Sequence, residues 1–193
     1  MINGVVHPKK NKLRLMKMRK VILVMICSLF GVSIYAQKDS SMVFKPTQNP
    51  IFTHKYTADP AAFVDDDVLW LFTGHDYEGG QKGYKMKDWL VFSTKDMKTW
   101  EEHPIPLKIT DFKWATSGDA YAGHVMKRND KYYWYISTNW NGIGVAVADK
   151  PEGPYKDALG KPLLTNEDCF ASTHSWTCID PAIFIDDDDQ PWI

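Results

Sequence analysis

The chain has 193 residues, 44% of them apolar and 13% aromatic, with a formal net charge of −1. That is ordinary globular composition, with apolar residues enough for one core. Residues 1–36 hold seven Lys or Arg and no acid, so the remainder carries −8. An acidic chain without a basic stripe argues against a nucleic-acid partner and leaves neutral ligands such as sugars.

The first element in chain order is a leader. Lys9, Lys10, Lys12, Arg14, Lys17, Arg19 and Lys20 precede the apolar run VILVMICSLFGVSIYA, which ends at Ala36. Basic region, apolar region and a small residue at the cut are the layout of a secretory signal peptide. Sixteen apolar residues are short for a membrane span of roughly 20. Cys27 lacks the small residues before it that a lipid anchor would need. The expectation is a signal peptide over 1–36, a periplasmic or secreted protein, and no stable membrane anchor. Beyond the leader only Cys169 and Cys178 remain. An oxidising compartment allows them to pair across a short loop, free thiols are equally compatible, and the spacing does not suggest zinc.

Strand-like runs follow. VLWLFTG (68–74), DWLVFST (88–94), KYYWYIST (131–138) and IGVAVAD (143–149) are rich in β-branched and aromatic residues. Each is bounded by turn residues such as D-D-D, R-N-D, N-G or P-E-G-P. No amphipathic helix of ten residues or more is expected after the leader, and the reading is all-β.

A longer period runs through these elements. DPAAFVDDD begins at Asp59 and DPAIFIDDDD at Asp180, 121 residues on. Halfway between them, YAGHVMKRNDKYYWYIST has the same plan of apolar strand, charged turn and aromatic strand. A unit of about 60 residues with several strands is the mark of a β-propeller. Residues 37–193 hold only about two and a half such units, and propellers close with roughly four to eight blades. The expectation is an amino-terminal part of a propeller, since an open stack leaves sheet edges unpaired.

Asp59 and Asp180 are the leading catalytic candidates. Each precedes a Pro, which biases the residue before it to extended backbone. Each is expected to open an inner strand and to direct its carboxylate into the central channel, where two carboxylates divide acid and base work. The competing reading of Asp-Pro as turn punctuation is weakened by its recurrence in the same frame. The runs Asp65–Asp67 and Asp186–Asp189 lack the alternating ligands and Gly of an EF-hand loop and read as solvated hairpin turns. His75, His124 and His174 show no helical metal spacing, and no metal site is assigned. His75 and Asp76 follow a strand end and are candidates to hydrogen-bond a sugar, with His124 beside them. Trp114, Tyr121, Trp140 and Trp176 are candidates to lie flat on a sugar face, although any one aromatic is more often core than platform.

The phrases YTADPAAFVDDDVLWLFTGHD, DWLVFSTKDMKTW, WATSGDAYAGHVMKRNDKYYWYIS, GVAVADKPEGPYKDALGKPLL and IDPAIFIDDDDQPWI stand in an order that resembles glycoside hydrolase family 43. The resemblance implies a five-bladed propeller that acts on arabinose- and xylose-containing polysaccharides. It implies that Asp59 is the general base and that Asp180 orients the proton donor and raises its pKa. The family's donor is a Glu in a later blade. Glu152, in PEGPY, lies between the two aspartates in an outer turn and is not taken as that acid. The resemblance implies no required cofactor, and it gives any calcium in the complete propeller a structural role. The expected activity is inverting hydrolysis of α-L-arabinofuranosyl or β-D-xylosyl links, with residues 1–193 alone lacking the acid and therefore inactive. Two alternatives stand beside it: a non-catalytic carbohydrate-binding propeller and an inactive gene fragment. Fructan-acting propellers carry N-D-P-N and R-D-P where this chain has A-D-P-A and I-D-P-A.

Overall fold

A computed structural model describes residues 40–77, 85–116, 118–138, 141–169 and 177–193. All belong to one compact unit, Asp39–Ile193. The leader expected over 1–36, together with Trp140, His174 and Trp176, lies outside the described residues.

Twelve strands form three antiparallel sheets among the described residues. They are Met42–Phe44 (β1), Tyr56–Asp65 (β2), Val68–Asp76 (β3), Met86–Thr94 (β4), Trp100–Glu102 (β5), Leu107–Lys108 (β6), Ala120–Arg128 (β7), Lys131–Thr138 (β8), Gly142–Ala148 (β9), Lys156–Asp157 (β10), Phe184–Ile185 (β11) and Pro191–Trp192 (β12). The first sheet has the order β1-β5-β4-β3-β2 with β6 also on β4, the second β10-β9-β8-β7, and the third β11-β12. Each repeat expected from sequence is therefore one meander, its first strand at one edge. Helix is confined, among the described residues, to a 3-10 turn at Ile109–Asp111 and four residues at Asn166–Cys169.

The hairpin turns follow from their residues. Asp66 and Asp67 have φ of 48° and 61°, and Asn129 and Asp130 have 49° and 58°. Two consecutive positive φ values make the tight turn whose twist suits a two-residue hairpin, and Asp and Asn tolerate that region. Asp65 departs from the solvated-turn expectation. Its carboxylate accepts from Lys127 at 2.7 Å and also from the Tyr132 hydroxyl. These bonds tie the first unit to the second and hold the Asp65 pKa below the carboxylate norm.

The central residues 89–92 of β4 are all apolar because both faces of the strand are covered there. Trp89 and Val91 face one cluster with Phe72, Phe112, Trp134, Ile136, Ala146 and Tyr155, which fills the seam between the first two sheets. Leu90 and Phe92 face a second cluster with Trp100, capped by Phe44, Ile51 and Phe52. Trp134 is the hub of the seam: its ring meets Phe72 edge-on at 4.9 Å and Tyr155 at 5.2 Å. Phe52 stacks on Phe92 at 4.0 Å. Beside it the buried Glu102 carboxylate accepts hydrogen bonds from His54 Nε2 at 2.6 Å and from Lys55. These contacts fasten the segment before β2 onto the first sheet.

Candidate active site

Asp59 occupies a backbone device more specific than a strand start. Asp59 lies inside β2, three residues after it begins. In the β2–β3 ladder Ala58 pairs with Gly74 and Ala61 with Phe72, so Asp59 and Pro60 together oppose Thr73 alone. That is a β-bulge, which re-aims a side chain and raises local twist. Pro60 fits it because a bulge on an edge strand needs no ladder N–H. The second unit repeats the device without the acid: Ala120 pairs with Thr138 and Gly123 with Ile136, leaving Tyr121 and Ala122 opposite Ser137.

The extended backbone expected before each Pro is not what forms. Asp59 has φ of 50° and Asp180 φ of 56°. The bulge turns Asp59 away from the strand direction, Asp180 lies outside any strand, and Asp is among the few side chains that accept the left-handed region. Such backbone costs on the order of 1–3 kcal/mol and persists where the surroundings enforce it, often at functional sites.

The carboxylates feel one another's charge. The Asp180 pKa is raised by partial desolvation and then by the negative charge of Asp59. Asp76 is raised by burial and by the same Asp59 charge, with His75 opposing. Asp59 and Asp76 come from the first unit and Asp180 from the third, so carboxylates 121 residues apart converge. Asp76 Oδ1 is buried without a hydrogen-bond partner among the described residues.

His75 also belongs here. It shares a 2.6 Å hydrogen bond between its Nδ1 and Asp88 Oδ1 across β3 and β4. With Nδ1–H donated to a carboxylate, the ring presents Nε2 to its other side. His75, Asp76, Tyr56 and Tyr77 line a cavity of about 650 Å³, a volume in the range of small-molecule sites.

The remaining sequence candidates separate. Tyr121 sits in the second bulge, half-buried, and its carbonyl accepts Trp89 Nε1 at 2.9 Å. His124 is half-buried on β7, and its Nδ1 accepts the Ile183 N–H at 2.8 Å. That nitrogen serves the fold and is not offered to a sugar. Trp114 does not form an open stacking face. Its indole donates to Asp157 Oδ2 at 2.9 Å and lies so close to Gly144 that an added Cβ there would come within 2.7 Å of the ring. A glycine on β9 lets this Trp pack flat on the second sheet. Glu152 lies in the turn after β9, where its charge acts on His103. Cys169 and Cys178 are joined as a disulfide two residues before Asp180. Sequence reasoning passed over Asp88 and Ser137. Ser137 stands in YIST where the first unit has LFTG, so alignment of the repeats was the signal that marked it. Among the described residues no group of three or more His, Cys, Asp or Glu is placed to share a metal ion.

Repeated meandering sheets, with the Asp59 charge acting on Asp76 and Asp180, define a β-propeller built around a carboxylate cluster. The family model described as glycosyl hydrolases family 43 matches residues 47–193, and the chain belongs to that family. It is 32% identical over 189 residues to an arabinoxylan arabinofuranohydrolase of Bacillus subtilis (strain 168), covering 87% of this chain and 36% of that one. It is 34% identical over 159 residues to xylosidase/arabinosidase 43A of Humicola insolens, covering 75% and 44%. Among solved structures, a β-xylosidase/α-arabinofuranosidase from a compost microbial metagenome, in complex with xylotriose, superposes with a TM-score of 0.61 at 30% identity, covering 78% of this chain and 45% of that one. An α-L-arabinofuranosidase from Clostridium thermocellum gives 0.60 at 38% identity, covering 74% and 48%. The chain thus spans less than half the length of these relatives. The fold is part of a five-bladed β-propeller.

Proposed function

We propose that the protein is a secreted or periplasmic glycosidase that hydrolyses α-L-arabinofuranosyl or β-D-xylosyl links in plant cell-wall polysaccharide with inversion. The single observation that carries the reading is that Asp59 and Asp180, each before a Pro and each at a left-handed φ, recur in the same phrase of a chain of this family, with the Asp59 charge acting on Asp180. Within this family it supports a division of labour between the two carboxylates. Asp59 is the general base: it takes a proton from water as that water attacks the anomeric carbon. Asp180 is the negative neighbour that keeps the proton donor protonated until the leaving oxygen needs it. The donor is a carboxylic acid of a later blade, some 6.5–9.5 Å or so from the base so that the water fits between them. Glu152 remains excluded, because it keeps company with His103 and not with the aspartates. Asp76 and His75 line the adjoining cavity and supply hydrogen bonds to sugar hydroxyls.

Turnover of aryl arabinofuranosides and xylosides by the complete propeller is the test. Asp59→Asn keeps the shape and removes the base, and it should lower kcat by roughly two to four powers of ten while oligosaccharide binding persists. Unchanged turnover sinks the assignment of the base, and binding with no turnover by the unaltered protein favours a sugar-binding propeller. Residues 1–193 alone, lacking the donor, should show no turnover.

A further inference from the structure

Two side chains of the second unit hold the third in a way that carboxylate chemistry does not itself require. Ser137 is fully buried near the end of β8. Its hydroxyl donates to the Ala122 carbonyl at 2.9 Å and accepts the Asp180 N–H at 2.8 Å. His124 Nδ1 accepts the Ile183 N–H at 2.8 Å. A ring nitrogen accepts only when it carries no proton, and burial lowers the His124 pKa, which favours the neutral ring.

These bonds stand where a sheet ladder is missing. Residues 177–183 are in no strand, and Pro181 has no N–H to offer. The two bonds therefore bracket Asp180, Pro181 and Ala182, and they hold Asp180 at a φ of 56°. The repeat itself does not demand the hydroxyl bond. Thr73 opposes the first bulge as Ser137 opposes the second, and Thr73 Oγ1 is buried with no hydrogen-bond partner among the described residues.

We infer that Ser137 and His124 are positioning residues for Asp180: through the amides of Asp180 and Ile183 they set the third unit's carboxylate against that of Asp59. The inference rests on the role of Asp180 given above. Misplacement of a reacting group by about 1 Å costs on the order of a hundredfold in rate, so anchoring this one matters.

The test uses the complete propeller and four variants. Ser137→Ala and His124→Phe remove the acceptors. Ser137→Thr keeps the hydroxyl, with the residue the first unit uses at the matching place, and His124→Asn sets an amide oxygen near the lost Nδ1. Amide hydrogen exchange should quicken about tenfold at Asp180 in Ser137→Ala and at Ile183 in His124→Phe. The Thr and Asn variants should stay near the parent, and β2–β4 amides should be unmoved throughout, which checks folding. NMR titration of the Asp180 carboxyl should move to lower pH in Ser137→Ala, because Asp180 withdraws from the Asp59 charge. On aryl glycosides the same variant should lose about tenfold to a hundredfold in kcat with little change in KM. The alkaline limb of kcat/KM should shift to lower pH, and Thr should restore both. Unchanged exchange at Asp180, or faster exchange with an unmoved Asp180 titration, overturns the inference. An inactive parent protein sinks the glycosidase reading alone, and the exchange and titration still decide the positioning role.

Discussion

At the scale of single residues, the site depends on unfavourable charge placed on unfavourable backbone. Asp59 raises the pKa of both Asp76 and Asp180. Neutralising it should let both neighbours ionise at lower pH, and carboxyl NMR titration of Asp59→Asn is expected to show both curves displaced together. The sign also bears on stability. A carboxylate whose folded pKa is raised stabilises the fold least once pH exceeds that raised value, because the folded state resists giving up the proton. Asp76→Asn should therefore raise Tm at neutral pH while weakening sugar binding, and a fall in Tm would mean that the lone buried Oδ1 has a partner that matters. The sequence displayed Asp59, Asp76 and Asp180. It did not display the backbone before Pro60 and Pro181: the rule for residues before Pro favours extended φ, a bulge overrides it at Asp59, and Asp180 takes a left-handed φ outside any strand. Trp114 shows the converse. An aromatic in a loop looked like a platform, and only the glycine on β9 beneath its ring shows that it is packing.

At the scale of elements, the hairpins were legible because their signals are local. KYYWYIST became β8 over the same residues, Lys131–Thr138, between a two-residue turn and the next loop. The other strands shifted at their ends by one or two residues, where bulges and edge pairing decide. β1 and the segment clamped by Glu102 went unread, since a three-residue strand has no periodicity to detect. The disulfide was undecided in sequence and is formed in the fold. Closing a loop with a sequence separation of 9 is worth about 2.5 kcal/mol on the chain-entropy model. Replacing both cysteines with Ser should lower unfolding free energy by roughly that amount, measured by denaturant titration with and without reductant. Because the loop ends two residues before Asp180, activity should suffer more than stability if the tether also steadies the site.

At the scale of the whole molecule, the seam between the first two sheets carries the assembly. Trp134 is 1% exposed at its centre, and Trp134→Ala should cost about 3–5 kcal/mol, enough to unfold a marginal domain. Calorimetry would show a lost or strongly lowered transition, whereas a shift of a degree or two would mean that the sheets are held elsewhere. The pH response follows from groups in different parts of the fold. Burial lowers the pKa of His103 and of His124. A depressed histidine contributes stability that is present above its unfolded value near 6.5 and is lost as pH falls through the folded value. Asp65, lowered by Lys127 and Tyr132, adds a loss of the same sign at lower pH. Thermal melts should therefore fall on acidification below about pH 6.5, and His103→Gln should flatten the first part of that decline.

The sequence by itself determined the all-β class, the repeated unit, the hairpin turns and the recurring Asp-Pro phrase, because each is written in neighbouring residues or in a phrase that recurs. Only the tertiary structure decided that the Asp59 charge reaches Asp180, that Asp76 shares its field, that Ser137 and His124 reach across to the third unit, and that Trp114 packs against Gly144. Those are relations between residues tens of positions apart, and they exist only once the chain folds and the sheets stack.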